Sequence, residues 1–365
     1  MKLRIDRSEL LTELIPMQGV VERKSTIPVL SHLLLRARDG RLHVAATDLD
    51  VSLTSWCEAE IDREGSVAVQ ARKLLEIVRS LVGEKVDLEV EESNALRIVS
   101  GRSRFKIHGL APDDFPSLPE VPSSDRLEIP TEAFRGMIAK VFFAVSAEES
   151  RFQLNGALLK PKDGSIEMVA TDGHRLALVE TAHEDAAAGD GILIPRKALQ
   201  ELQRLEGSEE VEFRRGEHHL SFSVGRRELI CRILEGTFPD YEKVISKEND
   251  RVLECDRKRL SEVVQRVSLL SGDRARAIRF QVEDGGLRLS AANPDLGEAV
   301  EDLECSYEGD KLALGINPDY LQQFLVAVGT DQVRFLLKDE NSQCIGVPVE
   351  GEESRYLCVI MPMRL

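Results

Sequence analysis

Nowhere in the 365 residues does an apolar run approach the eighteen or so residues that span a bilayer. The opening Met1-Lys2-Leu3-Arg4 leads into Asp6-Arg7-Ser8-Glu9, not into an apolar signal core. A soluble cytoplasmic protein with no membrane partner is therefore expected. Cysteine is scarce: the six, at 57, 231, 255, 305, 344 and 358, form no C-x-x-C pair and have no histidine at metal-ligand spacing. Neither a zinc site nor a disulfide framework is indicated, and the thiols suit a reducing compartment. The chain also lacks G-x-S-x-G, a P-loop, a G-x-G-x-x-G after a strand and a D-x-D cluster, so no catalytic residue, metal or cofactor is expected. Basic charge is in deficit, with 48 Lys and Arg against 64 Asp and Glu and a formal charge of -16. That balance argues against a general nucleic-acid binder, whose affinity comes from clustered cations that release counterions.

What is present is a globular composition, 42% hydrophobic and 31% charged, and an internal repeat of domain size. Asp39-Gly40, Asp163-Gly164 and Asp284-Gly285 each precede a short alternating strand, which then runs into a polar turn at Thr47 to Asp50, Thr171 to His174 or Asn293 to Asp295. Ala71-Arg72-Lys73, Pro195-Arg196-Lys197 and Asn317-Pro318-Asp319 each open a helical pattern, and Phe115-Pro116, Phe238-Pro239 and Met361-Pro362 close each copy. Apolar residues at i, i+3 or i+4 and i+7, as in Leu74, Val78 and Leu81 or Leu321, Phe324 and Val328, give these helices one buried face. Earlier helices are predicted at Leu10, Leu11 and Leu14, at Phe134, Ile138 and Val141, and at Leu260, Val264 and Val267. Period-two runs such as Val86 to Val90 and Val211 to Phe213 read as half-buried antiparallel strands. The fold class is α+β: three tandem domains, 1–124, 125–248 and 249–365, each with two helices against antiparallel sheets. The boundaries are expected at the polar connectors 122–125 and 246–250.

Repeated whole domains make either a string of modules or a ring. A domain of this size is about 35 Å across, so three in a circle leave a hole of only about 5 Å and six leave about 35 Å. Only two chains together could surround a duplex roughly 20 Å wide. The helical segments carry Arg72, Lys73, Arg79, Arg135, Lys140, Arg196, Lys197, Arg204, Arg257, Lys258, Arg259 and Arg266, while acids crowd the strands and loops, as at 89–92 and 350–353. A basic lining under an acidic exterior would hold DNA without reading its sequence; the competing account is solvated helix faces.

Thr171-Asp172-Gly173-His174-Arg175-Leu176-Ala177 is the most distinctive short run. By turn chemistry alone it is a hairpin turn with a satisfied histidine. Together with Phe238-Pro239-Asp240-Tyr241, Ala71-Arg72-Lys73, Ser100 to Phe105 and the terminal Met361-Pro362-Met363-Arg364-Leu365, it resembles the bacterial β sliding clamps, the processivity subunits of replicative DNA polymerases. The resemblance runs through the whole chain in order. It implies a homodimeric ring of six domains, helices inside and sheets outside, that slides on double-stranded DNA. It also implies one pocket per chain for short linear peptides of polymerase, clamp loader and repair proteins.

Carried onto this sequence, the resemblance puts the pocket at Leu154, Thr171, Gly173, His174, Arg175, Leu176, Pro239, Lys243, Val244, Val359, Met361, Pro362, Met363 and Arg364. Aliphatic residues and methionine suit pliable apolar anchoring, and the His and Arg side chains suit a polar rim. DNA contact is implied for Lys24, Arg72, Phe152, Gln153, Arg196 and Lys197, and a dimer seam for Phe105 and Ile107 against Leu269 and Leu270. Departures from the family pattern are Phe152-Gln153 in place of an aromatic pair, Glu148 in place of a neutral residue, and Lys243 in place of an arginine fork. A monomeric three-module peptide adaptor is the alternative reading.

Overall fold

The computed structural model describes the chain except residues 23–25, 123–125, 149, 273–276, 350–353 and 365. Lys24, the 123–125 part of the first connector and the 350–353 acidic run therefore fall outside the described residues. Six α-helices are found among the described residues: α1 Arg7–Val20, α2 Ala71–Ser80, α3 Thr131–Val141, α4 Arg196–Leu202, α5 Arg257–Ser268 and α6 Pro318–Ala327. They come as two per repeat, and each buries the face its apolar spacing predicts. One detail differs. Leu10, Leu14, Met17 and Val20 line the buried stripe of α1, whereas Leu11 is only half-buried, because a step of one residue turns about 100° around the helix.

The repeat is visible bond by bond. All three Asp-Gly turns are two-residue hairpin loops, closed by the pairs Arg38–Arg41, Lys162–Ser165 and Glu283–Gly286. Such loops need positive φ, which Asp39 (52°) with Gly40 (73°), Gly164 (76°) and Gly285 (75°) supply. Every opening helix starts with the same backbone bond, from Arg7 N–H to Glu84 O (2.7 Å), Thr131 N–H to Glu209 O (2.8 Å) and Arg257 N–H to Asp331 O (2.9 Å). In the outer copies that first residue is an arginine whose guanidinium donates to carbonyls in the last turn of the second helix and, in copy three, also just beyond it. Arg7 reaches Val78 O and Arg79 O, and Arg257 reaches Leu325 O and Thr330 O. Orphan carbonyls at a helix C-terminus are thereby satisfied by a cation, the favourable sign for the helix dipole. The middle copy has Thr131 instead, whose buried hydroxyl has no hydrogen-bond partner among the described residues.

By packing, the chain forms two compact units, Met1–Phe134 with Lys197–Ile233, and Arg135–Arg196 with Leu234–Leu365. The division runs through the middle repeat because sheets run from one repeat into the next. In the first unit a nine-stranded sheet passes from strand Val51–Glu58 of copy one to strand Arg227–Arg232 of copy two, with Leu53 opposite Leu229. In the second a nine-stranded sheet passes from Arg175–Ala182 of copy two to Ser354–Ile360 of copy three, with Leu176 opposite Val359. Each unit holds one further sheet. The first has a five-stranded sheet ending on strand Ser103–Ile107, and the second a four-stranded sheet ending on strand Gly297–Glu304.

The two seams are fastened differently. At the first, Arg227 makes a bidentate pair with Glu13 of α1 (2.9 and 3.1 Å), both groups being buried. At the second, the buried Arg175 guanidinium lies over the rings of Tyr320 (4.2 Å) and Phe143 (5.2 Å) and bonds Gln323 of α6. Tyr356 of the same seam donates its hydroxyl to Lys140 O (3.0 Å).

Candidate functional site

The distinctive turn builds itself from local chemistry. Asp172 Oδ1 accepts from the His174 and Arg175 amides (2.9 and 3.0 Å), and Thr171 Oγ1 accepts from the Gly173 amide and donates to Arg175 O (2.6 Å). Gly173 sits at φ 89°, a region that disfavours a Cβ. With the loop's donors used internally, the exposed His174 imidazole is presented at the surface. Its carbonyl accepts from Met361 N–H (2.9 Å), which extends the ladder between Arg175–Ala182 and Ser354–Ile360 into the C-terminal tail. Met363 N–H then donates to Gly315 O (2.8 Å). Two backbone bonds therefore hold the tail while the Met361 side chain stays 40% exposed.

Beneath lies an apolar floor of Leu158, Val169, Leu176, Leu178, Leu357 and Val359, against which Phe238 and Ile245 pack. The Phe238-Pro239-Asp240-Tyr241 turn is pinned there by Tyr241, whose hydroxyl donates to the buried Glu167, itself paired with Lys162 (2.6 Å). Burial first, then the Glu167 carboxylate, hold the Tyr241 phenol well above its ordinary range. It stays a neutral donor. Lys243 closes the turn by pairing with Asp240 (2.6 Å), and Gln343 donates to Val244 O (3.0 Å), leaving Val244 39% exposed. The arrangement offers an apolar surface on a stiff sheet, edged by His174, Lys243 and Arg364. It suits an aliphatic or aromatic peptide anchor better than a polar small molecule.

The implied pocket residues thus divide by depth. Pro239, Lys243, Val244, Met361, His174, Gly173 and Arg364 are exposed, and Pro362 and Met363 are half-buried. Leu154, Thr171, Leu176 and Val359 are buried beneath them. Arg175, expected at a polar rim, instead points inward to Asp172, Gln323, Tyr320 and Phe143. It supports the turn.

The expected DNA contacts divide in the same way. The Arg72 side chain is 84% exposed although Glu76 pairs with it (2.9 Å). Phe152 is 68% exposed, beside the half-buried Gln153. Arg196 and Lys197 depart from the expected lining. Arg196 stacks on Phe142 (4.8 Å) and donates to Val145 O (2.8 Å), and Lys197 donates to Val20 O (2.7 Å) and pairs with Asp48. Both cations are engaged inside their own units, at half-buried positions.

Residues 1–119, 128–240 and 242–364 match the family models for the N-terminal, central and C-terminal domains of the DNA polymerase III beta subunit. The chain belongs to this family. The beta sliding clamp of Pseudomonas aeruginosa is 38% identical over 370 residues and that of Caulobacter vibrioides 36% over 374, each comparison covering all of both chains. A crystal structure of the Pseudomonas aeruginosa sliding clamp bound to griselimycin matches the whole chain at 37% identity with a TM-score of 0.94. The α+β reading with three tandem clamp domains therefore stands.

Sequence reasoning missed the supports. Tyr320, Gln323 and Phe143 around Arg175 come from elements far away along the chain, and nothing in their own neighbourhoods marks them. Tyr241 lies inside a recognised turn, yet its Glu167 partner is 74 residues away.

Proposed function

We propose that two copies of this chain close head to tail into a six-domain ring around duplex DNA. Such a ring needs no catalytic group, and the surface formed by Met361, Val244 and His174 tethers the replicative polymerase, clamp loader and repair proteins through short linear peptides. The repeats 1–124, 125–248 and 249–365 are its domains. The setting is the bacterial cytoplasm.

One observation carries the closure: the two open sheet edges. Strand Ser103–Ile107 stands in copy one where Arg227–Arg232 stands in copy two, and Gly297–Glu304 stands in copy three where Arg175–Ala182 stands in copy two. Their counterparts are the strands that pair at the two seams inside the chain. A five-stranded and a four-stranded sheet meeting at these edges would make a third nine-stranded sheet like the other two. Charge favours that pairing, since one edge carries Arg104 and Lys106 and the other Glu298, Glu301, Asp302 and Glu304. Exposed long edges invite such pairing. Phe105 and Ile107 of one protomer would meet Leu269, 77% exposed, and Leu270 of its partner.

Within this reading the DNA-facing charge rests on Arg72, Lys73, Arg79, Lys258 and Arg259, all exposed, with Lys24 and Phe152 as further contacts. Retention on DNA decides the matter. The protein should stay on closed circular plasmid and be lost when the circle is cut, and equal retention on circular and linear DNA would refute encirclement.

A further inference from the structure

A second surface lies in the first compact unit, on the face of its nine-stranded sheet opposite α1. The chain's single tryptophan, Trp56, stands there in cross-strand register with His43. His43 in turn pairs with Arg36. Two guanidiniums approach the indole ring, Arg41 at 3.8 Å and Arg226 at 5.4 Å from its centroid. Arg36 and Arg38 extend the cationic row along strand His32–Arg38 and are exposed. Neither forms an ion pair among the described residues. A cleft of about 180 Å³ opens between these cations and an apolar end formed by Leu34 and Leu118.

We infer that this cleft docks an acidic peptide segment carrying one aliphatic or aromatic anchor residue. The volume is below the 300 Å³ or more of small-molecule pockets and suits a single side chain. The two ends of the cleft demand opposite chemistry from the occupant, carboxylates beside Arg36 and Arg38 and an apolar group beside Leu34 and Leu118. The local field is positive even though the protein carries -16 overall. His43 registers it, its protonation disfavoured first by burial and then by Arg38, Arg41 and Arg36. Nucleic acid fits the surface less well. Glu58 and Glu9 already pair with Arg41 and Arg226 (3.4 and 2.9 Å), so the basic surface is a bounded spot and not the extended track that a phosphate backbone requires.

Because Trp56 is the only tryptophan, its emission reports on this cleft alone. The full-length protein is titrated with a hexapeptide of acidic residues flanking a single leucine, with the same peptide carrying lysines in place of the acids, and with oligodeoxythymidylate. The acidic peptide should give a saturable spectral shift whose midpoint rises with salt. In the surface variant Arg36→Glu/Arg38→Glu its affinity should fall at least about tenfold, a difference of about 1.4 kcal/mol. The lysine peptide should give no shift. The inference is overturned by no saturable shift, by unchanged affinity in the double variant, or by a shift with oligodeoxythymidylate and none with the peptide.

Discussion

Replacing Arg227 by methionine should destabilise the first seam by about 3–5 kcal/mol, the range for removing one partner of a buried ion pair. Arg227 makes four bonds: two to the Glu13 carboxylate, one to Glu206 O (2.7 Å) and one to Thr12 O (3.1 Å). Glu13 is 1% exposed, and its only other side-chain partner among the described residues is the Ser55 hydroxyl. Arg227→Met keeps most of the stem volume, so little cavity penalty is added and the loss comes from an uncompensated buried carboxylate. Glu13→Leu with Arg227→Met removes both charges together, and such replacements are commonly neutral or stabilising. Urea unfolding followed by circular dichroism at one fixed protein concentration compares the variants, since self-association would make stability depend on concentration. The single variant should lose most of the predicted stability and the double variant should recover it. A single-variant loss below about 1 kcal/mol, or a double variant as weak as the single, would refute the reasoning.

At the second seam, Arg175→Lys should weaken partner-peptide binding nearly as much as Arg175→Ala, because a compact ammonium keeps charge but loses the planar stack on Tyr320 and cannot bond Asp172 and Gln323 at the same time from one rigid plane. Isothermal titration with a partner peptide checks this, and near-normal affinity in the lysine variant would return Arg175 to a simple charge role. Deleting residues 363–365 removes the Met363 bond to Gly315 and the rim around Met361, so peptide binding should disappear while light scattering still shows the dimer; a monomer would make the tail structural. Burial raises the Glu201 carboxyl above its ordinary value of 4.5 despite Arg204 at 3.0 Å. The folded state then binds the extra proton, so this group's contribution to stability falls as pH rises from about 4.5 through the raised value. Glu201→Gln should flatten that slope in thermal melts across the acid range, and an unchanged slope would assign it to other groups.

How much is legible in the sequence depends on how far apart the interacting residues lie along it. Local rules suffice for the helices, because Leu74 and Val78 or Leu260, Val264 and Val267 mark a face within a few residues. They suffice for the Asp-Gly hairpins, whose positive φ is a property of two residues. The apolar floor of the peptide site is half legible: Leu176 and Val359 come with the family pattern, but their pairing across the second seam is a fact of topology. The division into two compact units is hidden from the repeat itself. A repeat shows where copies begin and end, whereas packing follows the sheets that cross between them.

Charge shows the same dependence with functional consequence. By sequence, Arg196, Lys197 and Arg175 count as cations available to ligands, yet each is recruited inward by a group from a distant segment: Val145 O, Asp48 and Gln323. Lys197 and Arg175 are offset by the Asp48 and Asp172 carboxylates, and Arg196, although it keeps its charge, is held half-buried by a carbonyl and a ring, so counting basic residues in helices overstates the cations free to meet phosphate. Lys258 and Arg259 at the start of α5 and Arg79 at the end of α2 stay exposed, and among the described residues their side chains form no ion pair. Neutralising these three should therefore reduce the salt dependence of DNA retention, by about 0.9 in the logarithmic slope for each phosphate that the protein ceases to neutralise. Neutralising Arg196 and Lys197 should act through stability instead. Retention measured over a salt series separates the two outcomes, and a larger change in slope from the Arg196 and Lys197 pair would show that the inward bonds break when DNA is present.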